Sequence, residues 1–439
     1  MRFRPSLLSL LVLISLILTA CAVPPPAQAA PLPPTATAMP EPTAVPTAEP
    51  TIEPTAEPTA EPTATPVAET PGDQPVAFLA PLGSYATGIA DASASEIVAY
   101  DPGSQHIFST NAANNTLDIL DAQDPSNLVL LLSVDMNPYG AGINGVAASH
   151  GLVAAAVAAE EADAPGQIVF LNPDGAVLAN VEAGALPDMV TFTPDGMTVL
   201  AANEGEPNGD YTVDPEGSIT LIDLSGGIES LSQANVTQLS FAAYNDAGID
   251  PAIRIFGPNA TVAQDLEPEY IAVSADGRTA YVTLQEANAL AVVDIAAREI
   301  AALVSLGFKD HNAADNGLDA SDKDGGINIR NWPVLGMYMP DSIAAFTADG
   351  ATYLVTANEG DSRDYDGYSE ETRVADLTLD PTAYPDAEML QAEENLGRLK
   401  TTTATGDSDG DGDVDQIYSY GARSFTIWDS QGALVWDSG

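Results

Sequence analysis

The sequence predicts an all-β fold, a β-propeller, because one strand–turn–strand unit recurs along the chain. Three copies of this unit open with a proline followed by an acidic residue, at Pro187, Pro268 and Pro340. Each copy continues with an apolar run, a turn containing Asp-Gly and a second run rich in β-branched or aromatic residues. Asp and Gly tolerate tight reversals, and β-branched and aromatic residues favour strands. Repetition of such a hairpin is typical of propeller blades.

Two further units precede these copies, and each shows three strands. They run from Ser95 to Ala122 and from Gly142 to Gly175. The second contains AAAVAAEEA, which resembles a helix, but its place in the repeat favours a strand and a loop. We expect insertions at about 225–265 and 305–338, and partly helical structure within 366–400. Five units and the beginning of a sixth predict a propeller of the YVTN or WD40-like kind with five to six visible blades.

The N-terminus predicts export and lipid attachment. Residues 1–20 have the basic start and apolar core of a signal peptide, and Leu-Thr-Ala directly before Cys21 resembles the bacterial lipobox. Acylation of Cys21 would anchor the chain to a membrane on its extracytoplasmic side. The alternative is an uncleaved membrane helix, although the apolar run is short for one.

The next segment predicts a spacer. Residues 21–75 are rich in Pro, Thr, Glu and Ala, which disfavours helices and sheets and favours an extended, disordered linker. The alternative is a proline-motif ligand. Residues 76–439 would then form the propeller domain.

The charge balance narrows the possible partners. The chain has 13 Lys and Arg against 63 Asp and Glu, a net charge of −50. Nucleic acid is a very poor partner for such a chain, because phosphate binding needs a basic surface. An acidic surface suits cations such as Ca²⁺, while the alternative is adaptation for solubility or salt.

One acidic loop predicts a calcium site. Oxygen donors at alternate positions with glycine between them resemble the first nine positions of an EF-hand loop. Tyr418 stands where the bidentate glutamate would be, so a carboxylate from elsewhere would have to complete the site. The alternative is a solvated acidic turn. The predicted ligands are Asp407, Asp409, Asp411, Asp413 and Asp415.

A second group of candidates recurs at equivalent positions of three repeats. Equivalent loops of a propeller gather on one face, where their carboxylates could form a mouth that holds Ca²⁺ and, through it, an anionic ligand. Arg363 and Arg373 could contact a phosphoryl oxygen. The alternative is that these residues only shape turns and strand ends. The candidates are Asp188, Glu204, Glu206, Glu267, Glu269, Asp341, Glu359, Asp361 and Arg363.

A third candidate lies in the second insertion, at His311, Asp319, Asp322 and Asp324. It could hold a cation, but a flexible turn is the preferred interpretation. The three histidines show no zinc-ligand spacing, and no nucleophile-elbow, P-loop or dinucleotide-binding fingerprint is present.

Three long motifs carry a family resemblance: YMPDSIAAF with LVTANEGDSRDY, DLEPEYIAVSADGRTAYVTLQEANALAVVDI, and GDSDGDGDVDQIYSYGARSFTIWD. From about Phe78 onward the chain resembles the choice-of-anchor I family of bacterial surface proteins, which is related to sequences labelled mesenchyme-specific cell-surface glycoprotein. The resemblance implies a propeller-like domain, with seven blades expected in complete relatives, and a chain truncated at its C-terminus. Some members carry an alkaline phosphatase label.

Together these observations predict a lipid-anchored, calcium-stabilised propeller that binds an extracellular ligand or surface partner. The alternative is a Ca²⁺-dependent, phytase-like phosphoesterase that uses the carboxylate-lined mouth, an analogy at the level of the fold. Basic side chains lining the same mouth as the carboxylates would favour the alternative.

Overall fold

Four-stranded antiparallel sheets recur along the chain in the computed structural model, which describes residues 80–90 and 92–439. The predicted signal peptide, Cys21 and the linker 21–75 lie outside the described residues. The first sheet contains β1 (Val98–Asp101), β2 (His106–Asn111), β3 (Thr116–Asp121) and β4 (Val129–Asp135). The second contains β5 (Gly142–Ser149), β6 (Leu152–Ala158), β7 (Pro165–Leu171) and β8 (Val177–Ala185).

The third and fourth sheets repeat this pattern. The third contains β9 (Pro187–Phe192), β10 (Thr198–Asn203), β11 (Ser218–Asp223) and β12 (Val236–Ser240). The fourth contains β13 (Pro268–Val273), β14 (Thr279–Leu284), β15 (Ala289–Asp294) and β16 (Glu299–Ser305). Between them lie two short helices, α1 (Tyr244–Ala247) and α2 (Val262–Asp265).

The last two sheets are interleaved in sequence. The strands run in the order β17 (Phe308–Asp310), β18 (Val334–Met337), β19 (Ile343–Ala348), β20 (Ala351–Asn358), β21 (Glu371–Arg373), β22 (Lys400–Thr402), β23 (Ile417–Ser419), β24 (Ser424–Asp429) and β25 (Leu434–Asp437). The fifth sheet has the order β19-β20-β24-β25, and a five-stranded sheet has the order β17-β18-β23-β22-β21. In the five-stranded sheet β18 and β23 pair in parallel.

The first strands of the four-stranded sheets surround a common centre. Strand β1 contacts β5, β5 contacts β9, β9 contacts β13, and β13 contacts β19. A strand exposes alternate residues on opposite faces, so each sheet can pack against a neighbour on both sides. In β6, Val153, Ala155 and Val157 pack with the first sheet, whereas Ala154 and Ala156 pack with the third. The same alternation joins the third sheet to the fourth and the fourth to the fifth.

This arrangement confirms the predicted all-β, propeller-like fold class, and it confirms β6 as a strand rather than a helix. Two details differ. Each of the first four sheets has a fourth, outer strand that the sequence patterns did not show. The pair β24–β25, expected to begin a sixth unit, completes the fifth sheet, because β24 pairs with β20 from Asn358↔Ser424 to Tyr353↔Asp429.

The segment near the C-terminus contains less helix than expected. The segment expected to be partly helical contains one turn of helix, α3 (Ala387–Leu390). It packs over the five-stranded sheet in a separate apolar cluster that includes Trp332, Val374, Leu396 and Ile417. Within the described part of the chain, the longest helices fall far short of the length and apolar character that crossing a membrane requires.

Candidate cation-binding centre

The repeats bring acidic side chains to one end of the inner strands. Asp188 and Glu269 lie at the beginning of β9 and β13, and Asp341 lies just before β19. The strand pairing shifts register near Asp188 and Glu269. In the β9–β10 pair the shift lies between Ala202 and Asn203, and in the β13–β14 pair it lies between Pro268 and Ile271. Such bulges redirect side chains at strand ends. The second strand of each sheet runs antiparallel to the first, so it ends beside the start of the first strand. Glu204, Glu286 and Glu359 follow the ends of the second strands β10, β14 and β20.

A central cavity of about 420 Å³ opens among the first strands. Its lining includes Glu96, Asn144, Asp188, Tyr270 and Asp341, from or beside all five inner strands. Burial raises the pKa of the Asp188 carboxyl to about 7, with further contributions from Asp341, Glu206 and Glu96. Burial also raises the pKa of Asp341. The cavity therefore concentrates negative charge that water stabilises poorly.

Deeper carboxyls share this environment. Burial raises the pKa of Glu204 well above its usual range, and Glu269, Glu206 and Asp188 raise it further. The pKa of Glu269 is raised in the same way, first by burial and then by Glu286. Burial raises the pKa of Glu286 to about 7, although the Arg363 guanidinium opposes this shift. At neutral pH these groups need protons or a bound cation.

Arg363 is the principal positive charge within this group. Its guanidinium is buried, bonded to the Asp265 carboxylate, with Nη2 lying 2.8 Å from Glu267 Oε2. Nε also donates to Glu267 Oε2 at 3.2 Å, and Nη2 donates to the Asp265 carbonyl oxygen at 3.1 Å. The guanidinium carbon stands 4.5 Å from the Phe256 ring centroid. Arg363 thus neutralises buried carboxylates of the chain itself.

Arg254 forms a second buried cation beside it. Its Nη2 lies 2.5 Å from Glu370 Oε2, Nη1 donates to the Glu286 carbonyl oxygen at 2.8 Å, and its guanidinium carbon lies 4.1 Å from the Phe256 ring centroid. Sequence reasoning missed Arg254, Asp265, Glu286 and Glu370. A signal existed for Glu286, since Gln-Glu-Ala-Asn after β14 stands where Asn-Glu-Gly follows β10 and β20. No recurring pattern marked the others: Arg254 and Glu370 lie outside the helices and strands, and Asp265 is the last residue of α2.

Negative charge exceeds positive charge in this centre. Against Arg254 and Arg363 it gathers the acidic residues called here the central carboxylates: Asp188, Glu204, Glu206, Asp265, Glu267, Glu269, Glu286, Asp341 and Glu370. Tyr365 donates its hydroxyl to Glu206 Oε1 at 2.7 Å. Glu267 Oε1 and Glu286 Oε2 are buried without a hydrogen-bond partner among the described residues, and their residues are 2% and 8% exposed. Carboxylate oxygens are the ligands that a hard divalent cation prefers. Among the described residues, however, no three of these carboxylates bring ligand oxygens within 4.8 Å of one another.

The acidic loop forms two smaller groups. Ligand oxygens of Asp407, Asp409 and Asp415 lie within 4.8 Å of one another, and so do those of Asp380, Asp413 and Asp415. Asp380 lies outside the loop in sequence, and its carboxylate lies beside those of Asp413 and Asp415. Asp411 belongs to neither group, and it instead accepts the Asp413 amide at 3.2 Å. Burial, followed by Asp411 and Asp380, raises the pKa of Asp413.

The remaining predicted residues are dispersed. His311 is buried with Nδ1 2.7 Å from the Asn316 carbonyl oxygen, Asp322 binds Arg398 at 3.0 Å, and Asp324 accepts from Asn328 at 2.7 Å. Within the described ranges, no group of potential metal ligands unites His311, Asp319, Asp322 and Asp324. Asp322 and Asp324 make surface contacts, whereas His311 Nε2 and Asp319 Oδ1 are buried without a hydrogen-bond partner among the described residues.

A second cavity, of about 700 Å³, separates two of the predicted mouth residues from the others. Glu359 and Asp361 line it, together with the basic side chains of Arg373, Arg398, Lys400 and Arg423. The mouth predicted from sequence is therefore two adjoining features, the central carboxylates and this cavity of mixed charge.

One comparison with known proteins identifies a domain family. A family model described as the choice-of-anchor I domain matches residues 96–439. No curated protein matches this chain. A protein of unknown function from Bacteroides caccae is 10% identical, with a TM-score of 0.35 and coverage of 78% of this chain and 80% of that one.

Two other solved structures show a similar degree of likeness. Kuenenia stuttgartiensis hydrazine synthase is 15% identical, with a TM-score of 0.31 and coverage of 60% and 80%. A chain of a nidogen/laminin complex is 14% identical, with a TM-score of 0.32 and coverage of 49% of this chain. The chain spans 65% of the length of that structure.

Proposed function

The chain belongs to the choice-of-anchor I domain family, and from this we propose that it is a surface-associated module that binds Ca²⁺ at its central carboxylates. Through that ion it would bind an extracellular ligand or surface partner. The single observation that carries the proposal is the excess of buried carboxylates over the two buried arginines. An ion coordinated by carboxylate oxygens removes this repulsion and keeps positions for ligand oxygens.

The proposal includes a lipid anchor. The lipobox-like sequence before Cys21 and the proline-rich linker 21–75 support it. A modified Cys21 would hold the domain at the membrane, and the linker would extend it away from the surface.

A second calcium ion is proposed in the loop from Asp407 to Asp415, with Asp380 completing its ligands. Its role would be structural. The loop pairs with a neighbouring segment through the parallel bridge Leu379↔Val414, so an ion there would fix the connection between β22 and β23.

The experiment measures calcium binding to residues 76–439 by calorimetry, with thermal melts in Ca²⁺ and in EGTA. Glu286→Gln and Glu204→Gln should weaken Ca²⁺ binding at the centre by about tenfold or more, a loss of roughly 1.4 kcal/mol. Both variants should melt no lower than the parent in EGTA, because each removes a buried charge. Asp380→Asn should affect only the loop site.

Glu299→Gln serves as the control, since Glu299 is exposed on the outer strand β16. It should bind Ca²⁺ like the parent. Absence of calcium binding, or equal losses in Glu286→Gln and Glu299→Gln, would contradict the proposal.

A Ca²⁺-dependent phosphoesterase is the second candidate. The observation that favours it is the placement of Arg373, Arg398, Lys400 and Arg423 in one cavity with Glu359 and Asp361. Hydrolysis of p-nitrophenyl phosphate in Ca²⁺ but not in EGTA, and its loss in Glu359→Ala, would support this candidate. Calcium binding without turnover would leave the binding module.

A further inference from the structure

We propose that the 700 Å³ cavity binds a tetrahedral oxyanion, the phosphate or sulfate ester group of a sugar-like ligand. Its principal contacts would be Arg373 and Arg423. This cavity, which also holds the basic side chains of the phosphoesterase candidate, lies apart from the central carboxylates, and the binding proposed here requires no calcium.

Few basic side chains of the described residues lack an ion pair, and most of those few lie in this cavity. The described residues contain eleven Lys and Arg side chains, of which eight form an ion pair. In this part of the chain, Arg330, Arg373 and Arg423 have no carboxylate within ion-pair distance. Arg330 lies over the Trp332 ring, whereas the other two line the same cavity. The lining also carries five carboxylates, Asp319, Asp322, Glu359, Asp361 and Glu371. The two unpaired guanidinium groups, and not an overall positive charge, are therefore what an anion would contact in this cavity.

Two further cations support these arginines. Arg398 pairs with Asp322 at 3.0 Å and Lys400 pairs with Glu371 at 2.5 Å, and both pairs are partly exposed at the cavity. The Arg373 Nη1 donates to the carbonyl oxygen of Arg398. This bond orients the Arg373 guanidinium and leaves its other nitrogens without a hydrogen-bond partner in the described structure.

The backbone holds Arg423 in place. Gly360 and Gly421 both have left-handed φ angles, of 73° and 69°. A Cβ added to Gly421 would lie 2.0 Å from the Glu359 carbonyl oxygen, so two backbone segments touch here without room for a side chain. Arg423 itself has a φ of 52°, and its amide donates to the Asn358 carbonyl oxygen at 3.2 Å. The segment carrying Glu359 and the one carrying Arg423 are therefore fixed against each other.

The side chains also select the ligand class. A tetrahedral dianion presents several oxygens and more charge than a single carboxylate, so it matches two guanidinium groups better. Glu359 and Asp361 on the same lining would accept hydrogen bonds from hydroxyl groups. A sugar bearing a phosphate or sulfate ester offers both kinds of group, and the volume is within the range of small-molecule sites.

The experiment is calorimetry at low ionic strength with residues 76–439 and three probes: glucose 6-phosphate, glucose 6-sulfate and glucose. We expect at least one ester to bind and glucose itself not to bind. Arg423→Gln and Arg373→Gln should each weaken ester binding by about tenfold or more, as expected for loss of a charge-assisted hydrogen bond. Comparison of the two esters distinguishes phosphate from sulfate.

The control is Arg278→Gln, whose side chain is 82% exposed in a turn away from this cavity. It should bind the ester like the parent, and thermal melts identify any variant that fails to fold, in which case the other arginine variant decides. Each titration is repeated in EGTA, where ester binding should persist even if the central carboxylates bind no calcium. Failure of both esters to bind, or equal weakening by Arg278→Gln, would overturn the proposal.

Discussion

At the scale of single residues, Arg363 shows how a buried charge is accommodated. Its guanidinium lies between the Asp265 and Glu267 carboxylates, and all three side chains are 1–2% exposed. A buried ion pair contributes little net stability when complete, because desolvation offsets the attraction. Removal of one partner is costly, since it leaves an unpaired buried charge.

Replacement of Arg363 by methionine should therefore lower the free energy of unfolding by about 3–5 kcal/mol. Urea unfolding at neutral pH measures the change. Arg278→Met, at an exposed arginine whose nearest carboxylate oxygen is 4.0 Å away, should change it by less than about 0.5 kcal/mol. Similar losses in both variants would mean that the buried pairing is unimportant. Adding Asp265→Asn and Glu267→Gln to the Arg363 variant should recover part of the loss.

The partners of Arg363 could not be predicted from the sequence. The scarcity of cations identified Arg363 as unusual, but its partners lie 96 and 98 residues away in the chain. No spacing pattern connects positions so distant, so the sequence could equally assign Arg363 to a phosphoryl group or to internal carboxylates. By contrast, the recurring Asp188, Glu269 and Asp341 follow the repeat and were found from it.

At the scale of secondary-structure elements, the contact between Gly360 and Gly421 ties β20 to the connection before β24. Gly421→Ala should destabilise the fold by about 2–5 kcal/mol, because it combines left-handed strain with a backbone clash. Gly350→Ala is the matched control, since Gly350 has a φ of 79° and nothing within 4 Å of an added Cβ. It should cost only about 1–2 kcal/mol. Equal costs in urea unfolding would show that the close contact contributes nothing.

Inner strands could be predicted from the sequence, whereas an outer strand could not. Strands β9, β10, β13 and β14 were predicted because Asp-Gly turns separate them and their apolar residues face neighbouring sheets. The outer strand β4 was missed, and its residues from Val129 to Leu132 are 37–52% exposed. An apolar run on an outer edge lacks the alternation that marks a half-buried strand.

At the scale of the whole molecule, the buried carboxyls make the stability of the fold depend on pH. The pKa values of Asp188 and Glu286 are raised to about 7, above the values near 4 of an unfolded chain. A carboxyl of this kind binds its proton more tightly in the folded state. Its protonation stabilises the fold at low pH, and that contribution is lost as the pH rises from about 4 through 7.

In EGTA, the melting temperature should therefore rise as the pH is lowered from 8 to 5. Saturating Ca²⁺ should flatten this dependence, because the ion would replace the protons, and calcium affinity should fall below about pH 7. Thermal melts across this range test both expectations. A melting temperature that falls on acidification in EGTA would show that the central carboxylates are already ionised and stably paired.

The interleaving of the last two sheets has a consequence for how the chain folds. Each of the first four sheets is a continuous segment, so it can form from local contacts as soon as that segment is available. The fifth sheet needs β24, and the five-stranded sheet needs β23, which are separated by more than 60 residues from β20 and β18. The hairpin β19–β20 lies between β18 and β21 in sequence, and β21 to β23 lie between β20 and β24. These two sheets should therefore assemble together as the slow, cooperative final step of folding.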